Sequence, residues 1–230
     1  KLIGFSRIDK NSKFQNNKTL IAATFLNEQN YNYIRTVFPL SYTYQLNTKL
    51  TTFYIAPFQL SFNQAKVSDN FSDQLSSKDS LFIARLFSNY IITGPKFSLF
   101  YSQKNSKPNN YFTINANALE ISGVLFSQFS KSQKILNVPF SKFLRSDVDI
   151  RFHQKLDVNN KMVYRLYTGL GYPIGNTFLP FERRFFVGGS NSLRAWRPRS
   201  IGPGSYNEGS GLQIDKSGEM LIQSNIEYRF

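Results

Sequence analysis

FLRSDVDIRFHQKLDVNNKMVYRLYTGLGYP, residues 143–173, decides the fold. Within Phe143–Leu156, Val148, Ile150 and Phe152 alternate with Asp147, Asp149, Arg151 and His153. That period of two puts an apolar row and a charged row on opposite faces of one strand. Asp157–Lys161 (DVNNK) has turn chemistry. Met162–Tyr172 is the return strand, with Met162, Tyr164, Leu166, Leu170 and Tyr172 on one face and Arg165, Gly169 and Gly171 on the other. Both runs exceed the roughly 5–6 residues usual for a globular strand. They match the roughly 9–11 that a tilted strand needs to cross a bilayer. An apolar face suits lipid, and a face carrying both Asp and Arg suits a wet barrel lumen.

The same rhythm extends outward from this hairpin. Thr36–Leu46 alternates Phe38, Leu40, Tyr42, Tyr44 and Leu46 with Pro39, Ser41, Thr43 and Gln45, and Lys49–Leu60 is its expected partner. Leu2–Ile8 and Thr19–Asn27 are earlier strand candidates. Val67–Ser80 reads as a long loop, and Leu81–Phe87 as either a helical turn or a strand. Tyr90–Gln103 is a strand that Gly94-Pro95 should bend or bulge. Tyr111–Phe126 is the next strand, with Phe112, Ile114, Ala116 and Ala118 on one face, and Ser127–Pro139 is a basic loop. Glu219–Phe230 closes the series, with Met220, Ile222, Ile226, Tyr228 and Phe230 opposite Gln223, Asn225, Glu227 and Arg229. About nine strands result, so the expected class is all-β, a transmembrane antiparallel barrel seen in part. A soluble β-sandwich is the competing architecture.

Composition narrows the function. Without cysteine and with one histidine, His153, neither thiolate metal sites nor disulfides are available, and no cofactor is implied. The net charge of +14 raises the question of nucleic acid or an anionic membrane surface. The aromatic residues fall on the apolar strand faces rather than among the Lys and Arg, which argues against base stacking and nucleic acid. No nucleophile elbow, phosphate loop or zinc spacing appears, so no enzyme is expected. Asp147 and Asp149 share a face and form a possible carboxylate pair, but Arg145 and Arg151 beside them favour a charge-balanced, hydrated wall. His153 on that face reads as a solvated side chain.

Residues 178–206, FLPFERRFFVGGSNSLRAWRPRSIGPGSY, break the strand rhythm. Five arginines (Arg183, Arg184, Arg194, Arg197, Arg199) lie among Gly188, Gly189, Gly202, Gly204 and a cluster of Phe and Trp. A loop this aromatic is expected to tuck back into its own protein. The block FFVGGSNSLRAW…GPG, preceded by GLGYPIGN and followed by EYRF, resembles the BamA/TamA outer-membrane assembly superfamily, most closely the TamA-like lipoprotein branch, TamL. In that family the block is the long sixth extracellular loop of a barrel of about sixteen strands, here 176–216. Its hallmark is an Arg-Gly-aromatic tripeptide after an aliphatic residue, matched here by Leu193, Arg194, Ala195 and Trp196. Ala195 stands where the family has Gly, and Trp196 keeps the aromatic.

The resemblance implies a loop folded into the lumen, its arginine meeting an acidic residue on the twelfth strand. Glu227 lies at the matching position, and strand parity puts it on the polar face with Gln223 and Asn225. An Arg194–Glu227 ion pair is therefore expected, partly desolvated and costly to break. The resemblance also implies periplasmic POTRA modules and first strands before this segment, and closing strands after it. The implied function is folding and insertion of client proteins in the bacterial outer membrane. Partners would be outer-membrane lipids, client outer-membrane proteins, and periplasmic or inner-membrane assembly subunits. The alternatives are a two-partner secretion pore of the same superfamily and a passive porin-like barrel.

Overall fold

The structure, a computed structural model, describes residues 17–29, 33–68, 88–104, 106–107, 109–129, 134–135, 138–175, 179–202, 204 and 216–230. The strands are β1 (Lys18–Ala23), β2 (Leu26–Gln29), β3 (Tyr33–Asn47), β4 (Thr51–Val67), β5 (Tyr90–Ser102), β6 (Asn110–Ser122), β9 (Phe143–Lys155), β10 (Lys161–Pro173) and β11 (Met220–Arg229). Between β6 and β9 come a short helix α1 (Val124–Phe129) and a small hairpin of β7 (Lys134–Ile135) and β8 (Val138–Pro139). The main sheet has nine strands in the order β1-β3-β4-β5-β6-β9-β10-β11, with β2 also on β3, and every ladder is antiparallel. It is an open meander and does not close on itself.

The sequence boundaries change in four places. The strand expected over Lys49–Leu60 is Thr51–Val67, so it runs on to the start of the expected loop Val67–Ser80. Thr19–Asn27 is interrupted at Thr24-Phe25, yet Lys18↔Gln45 and Leu26↔Val37 lie in one register, so β1 and β2 continue a single ladder. Tyr111–Phe126 does not run through as a strand. It ends at Ser122, Gly123 turns the chain at φ 65°, and α1 begins. Ser127–Pro139 holds the end of α1 and the β7–β8 hairpin rather than being a loop throughout. Leu2–Ile8, Leu81–Phe87 and nearly all of Val67–Ser80 lie outside the described residues.

Register fixes the faces. Phe112↔Phe152, Phe152↔Tyr164 and Tyr164↔Ile226 put one apolar row across four strands. Asn115↔Asp149 and Val163↔Glu227 put the polar row on the other side. Two strands switch parity midway. β4 turns outward with Phe53 and Ile55, then with Phe58, Leu60 and Phe62, and the extra residue is taken up between Ala56 and Gln59, opposite Gly94. β6 turns outward with Phe112, Ile114 and Ala116, then with Leu119 and Ile121, and its extra residue lies between Asn117 and Glu120. Ala118 is thus part of a bulge, not of the regular row. Bulges of this kind accept one unpaired residue and re-aim the side chains beyond it.

Gly94 is required at its position. Its φ is 144°, and an added Cβ would sit 2.2 Å from the Ile121 carbonyl oxygen. The expected bend at Gly94-Pro95 is therefore present, with its extra residue on the facing strand.

Among the described residues no second layer covers the outward apolar row. Leu166 is 45% exposed, Ile222 70% and Ile226 71%. A sandwich would bury such a face against a partner sheet, whereas lipid accepts it directly. No helix among the described residues is long and apolar enough to cross a membrane. Adjacent residues of β6 test the assignment. Ile114→Arg should destabilise the full-length protein in lipid vesicles by about 2–4 kcal/mol, and Asn115→Arg by under about 0.5. Urea unfolding followed by band shift on unheated gels measures both, and equal losses would overturn the facing.

Candidate functional site

The polar face is where the loop after β10 lies. Two glycines of β10 make room for it. A Cβ on Gly169 would meet Phe185 Cε1 at 2.4 Å, and one on Gly171 would meet Leu179 Cδ1 at 2.1 Å. Leu179 is fully buried with Tyr90, Ile92 and Phe143. Phe185 is 4% exposed, with the Arg145 guanidinium 4.4 Å from its ring centre and Tyr167 against its edge. Phe185 and Gly218 exchange backbone hydrogen bonds of 2.8 Å, which ties the loop root to the segment entering β11. Arg184 donates to the Ser217 carbonyl at 2.8 Å.

Charges then fasten loop to wall. Arg183 Nε donates to Glu120 Oε1 at 2.8 Å, and Gln59 donates to the same oxygen at 2.9 Å. Glu120 is completely buried, so losing Arg183 would leave an uncompensated buried charge. Arg145 pairs with Asp147 at 2.6 Å and also donates to the Arg183 carbonyl at 3.1 Å. Asp149 is held from two sides, by Arg151 at 2.9 Å and by Arg165 at 2.8 Å. Arg165 reaches the loop as well, donating to the Asn191 carbonyl. The aspartates read as a hydrated, charge-balanced wall are therefore paired with arginine. His153 stacks on Tyr111, ring centres 4.4 Å apart.

The tip of the loop is a closed lobe. Arg199 N donates to Val187 O at 3.0 Å and Gly189 N to Trp196 O at 2.9 Å. Gly188 has φ 99°, and a Cβ there would lie 2.2 Å from the Arg197 carbonyl oxygen, so the lobe closes only with glycine. Gly202 and Gly204 also have positive φ. Leu193 begins a turn in which Trp196 N donates to its carbonyl at 3.1 Å. Arg199 is the single described non-glycine residue with positive φ, so Ala195 has ordinary backbone and the turn does not need the family's glycine.

Arg194 Nη2 lies 3.0 Å from Glu227 Oε1, and Arg229 takes the other carboxylate oxygen at 2.6 Å. Ser192 bonds Gln223 at 2.8 Å beside them. The structure thus brings Arg194 and Glu227 together, but not in a dry setting. The Arg194 side chain is 68% exposed and that of Glu227 30%, so solvent screens the pair. Trp196 is 56% exposed and does not fill the wall. A cleft of about 330 Å³ remains between the lobe and β9–β11, with Arg151, Arg165, Arg194 and Arg229 along it. Among the described residues no group of His, Cys, Asp and Glu could hold a metal ion.

The sequence that forms this amphipathic sheet and its arginine-rich loop matches a known family. The family described as the Omp85 superfamily domain matches residues 8–230. The chain belongs to the Omp85 superfamily. The Sorting and assembly machinery component 50 homolog of Xenopus tropicalis is 28% identical over 87 residues. That stretch covers 38% of this chain and 19% of the relative. As an Omp85 chain it is an outer-membrane β-barrel segment, and its two faces are the lipid-facing and lumenal surfaces of such a wall.

Arg183–Glu120 and Arg165–Asp149 were not singled out from the sequence. Strand parity places Asp149 and Arg165 on the wall, whereas plain alternation from Phe112 would put Glu120 on the apolar face and only the bulge at Asn117–Glu120 turns it inward. The partners of all three emerge only from cross-strand register and from where the loop lands. The two kinds of contact should separate in unfolding experiments. Asp149→Ala leaves Arg165, 17% exposed, without its carboxylate and should cost about 2 kcal/mol. Arg194→Ala should cost clearly less. A larger loss for Arg194→Ala in urea unfolding of the full-length protein would reverse this ranking.

Proposed function

We propose that this Omp85 chain is the central wall and loop six of a bacterial outer-membrane assembly factor, with the TamA-like lipoprotein branch as its nearest setting. Its clients would be β-barrel or surface proteins, and its other partners outer-membrane lipids and periplasmic or inner-membrane assembly subunits. No covalent chemistry is involved. The observation that carries the reading is the loop. It is fixed to the lumenal wall by Arg183–Glu120 and Arg165–Asn191 and reaches Glu227 through Arg194. A wall occupied in this way is suited to holding a shape while strands pair elsewhere in the barrel. Superfamily membership supports the reading, as does similarity to a protein named as a sorting and assembly machinery component.

A passive porin calls for an open, charged constriction, whereas here the loop itself occupies the polar wall. A two-partner secretion pore shares the loop motif and differs in having one dedicated client. Reconstitution of the full-length protein in liposomes distinguishes these readings. An unfolded outer-membrane protein should fold faster in its presence, and Arg194→Ala should slow that gain by a few-fold, in keeping with a screened pair. Steady ion conductance with no effect on client folding would favour the porin. Acceleration of a single secreted partner alone would favour the secretion pore.

A further inference from the structure

The root of the loop has a second attachment, far from the Arg194–Glu227 pair. The single turn of 3-10 helix Phe181–Arg183 brings Glu182 to the β3 and β5 end of the same polar face. One oxygen of its carboxylate accepts from the Arg35 guanidinium on β3 and the other from the Tyr90 hydroxyl on β5. The side chains of Arg35 and Glu182 are 10% and 20% exposed. The Arg35 guanidinium also lies 4.3 Å from the Phe181 ring centre. Arg199 approaches the same ring at 4.0 Å and the Phe186 ring at 4.2 Å.

Arg199 closes this attachment from the other end of the lobe. Its backbone donates to Val187 and accepts from Lys216. Its φ of 62° is a conformation that side-chain-bearing residues adopt only when their surroundings enforce it. Charge-assisted hydrogen bonds are about twice as strong as neutral ones, and exclusion from water strengthens them further. The buried contact at Glu182 therefore outweighs the exposed one at Arg194.

We propose that Glu182 is the positioning residue of the loop. Arg35 and Tyr90 form its receptor, Arg199 braces Phe181 from the far side of the lobe, and the Arg194–Glu227 contact results from that placement. The inference rests on the reading of the loop as part of an assembly factor. Its test has a readout that does not depend on that reading.

The full-length protein in its own membrane is digested with trypsin, for which Arg184, Arg194 and Arg199 offer cleavage points, Arg197 being shielded by Pro198 after it. Glu182→Ala should speed cleavage in the loop by at least about tenfold, with the unheated gel mobility of the barrel unchanged. Glu227→Ala should speed it by under about threefold. The charge exchange Glu182→Arg with Arg35→Glu should recover most of the protection, read from cleavage after Arg194 and Arg199 because the exchange adds a tryptic site at position 182. Should Glu182→Ala fail to assemble, Glu182→Gln keeps an acceptor for Tyr90 and loses the ion pair, and should be cleaved at an intermediate rate. Wild-type protection in Glu182→Ala or in Glu182→Gln would overturn the proposal, as would an exchange no better protected than the single variant. Client folding in the same membranes addresses the other reading. A freed loop with unimpaired client folding keeps the anchor and removes the loop from the assembly function.

Discussion

Everything in this structure depends on a sheet that must present different surfaces to two media. Leu166, Ile222 and Ile226 stand bare on one side, which only lipid tolerates at that density. Asp147, Asp149, Glu120 and Glu227 stand on the other side, where each finds arginine. The polar wall cannot simply be left to water, because Glu120 is completely buried. The loop supplies what that carboxylate needs, through Arg183. Loop and wall are therefore one polar layer that happens to come from two parts of the chain.

Burial ranks the contacts within that layer. Arg183–Glu120 and Arg165–Asp149 lie deep, and Arg194–Glu227 lies near water. The residue pair most visible from the family pattern is thus among the more screened. The root, with Leu179 and Phe185 set against the bare backbone of Gly171 and Gly169, carries more of the packing.

Much of this was legible in the chain itself, for definite reasons. A period of two places Glu227 and Arg165 on the polar face without coordinates, since a strand has only two sides. Gly94-Pro95 announces a disturbance in its ladder, although the inserted residue sits on β4 instead. The helix Val124–Phe129 was not legible, because six residues are too few to show a period of 3.6. The switch of parity in β6 was visible as Ala116 followed by Leu119 and Ile121, but Ala118 mimics a regular member of the row. The meeting of Arg35 with Glu182 spans 147 positions. No local pattern encodes such a contact, which needs the whole ladder from β3 to β10 and the landing point of the loop.

The bulges in β4 and β6 have a further consequence. Each is shared by both neighbouring ladders, so the register slips by one residue on either side of the same short stretch. They act as expansion joints. Elsewhere in these strands, gaining or losing one residue would exchange lumen for lipid along the remainder of the strand. At Ala56–Gln59 and Asn117–Glu120 the chain already carries an odd residue without that exchange. Relatives whose strands differ in length by one should absorb the difference at these two places, and an alignment that ignores them would turn half of each strand inside out.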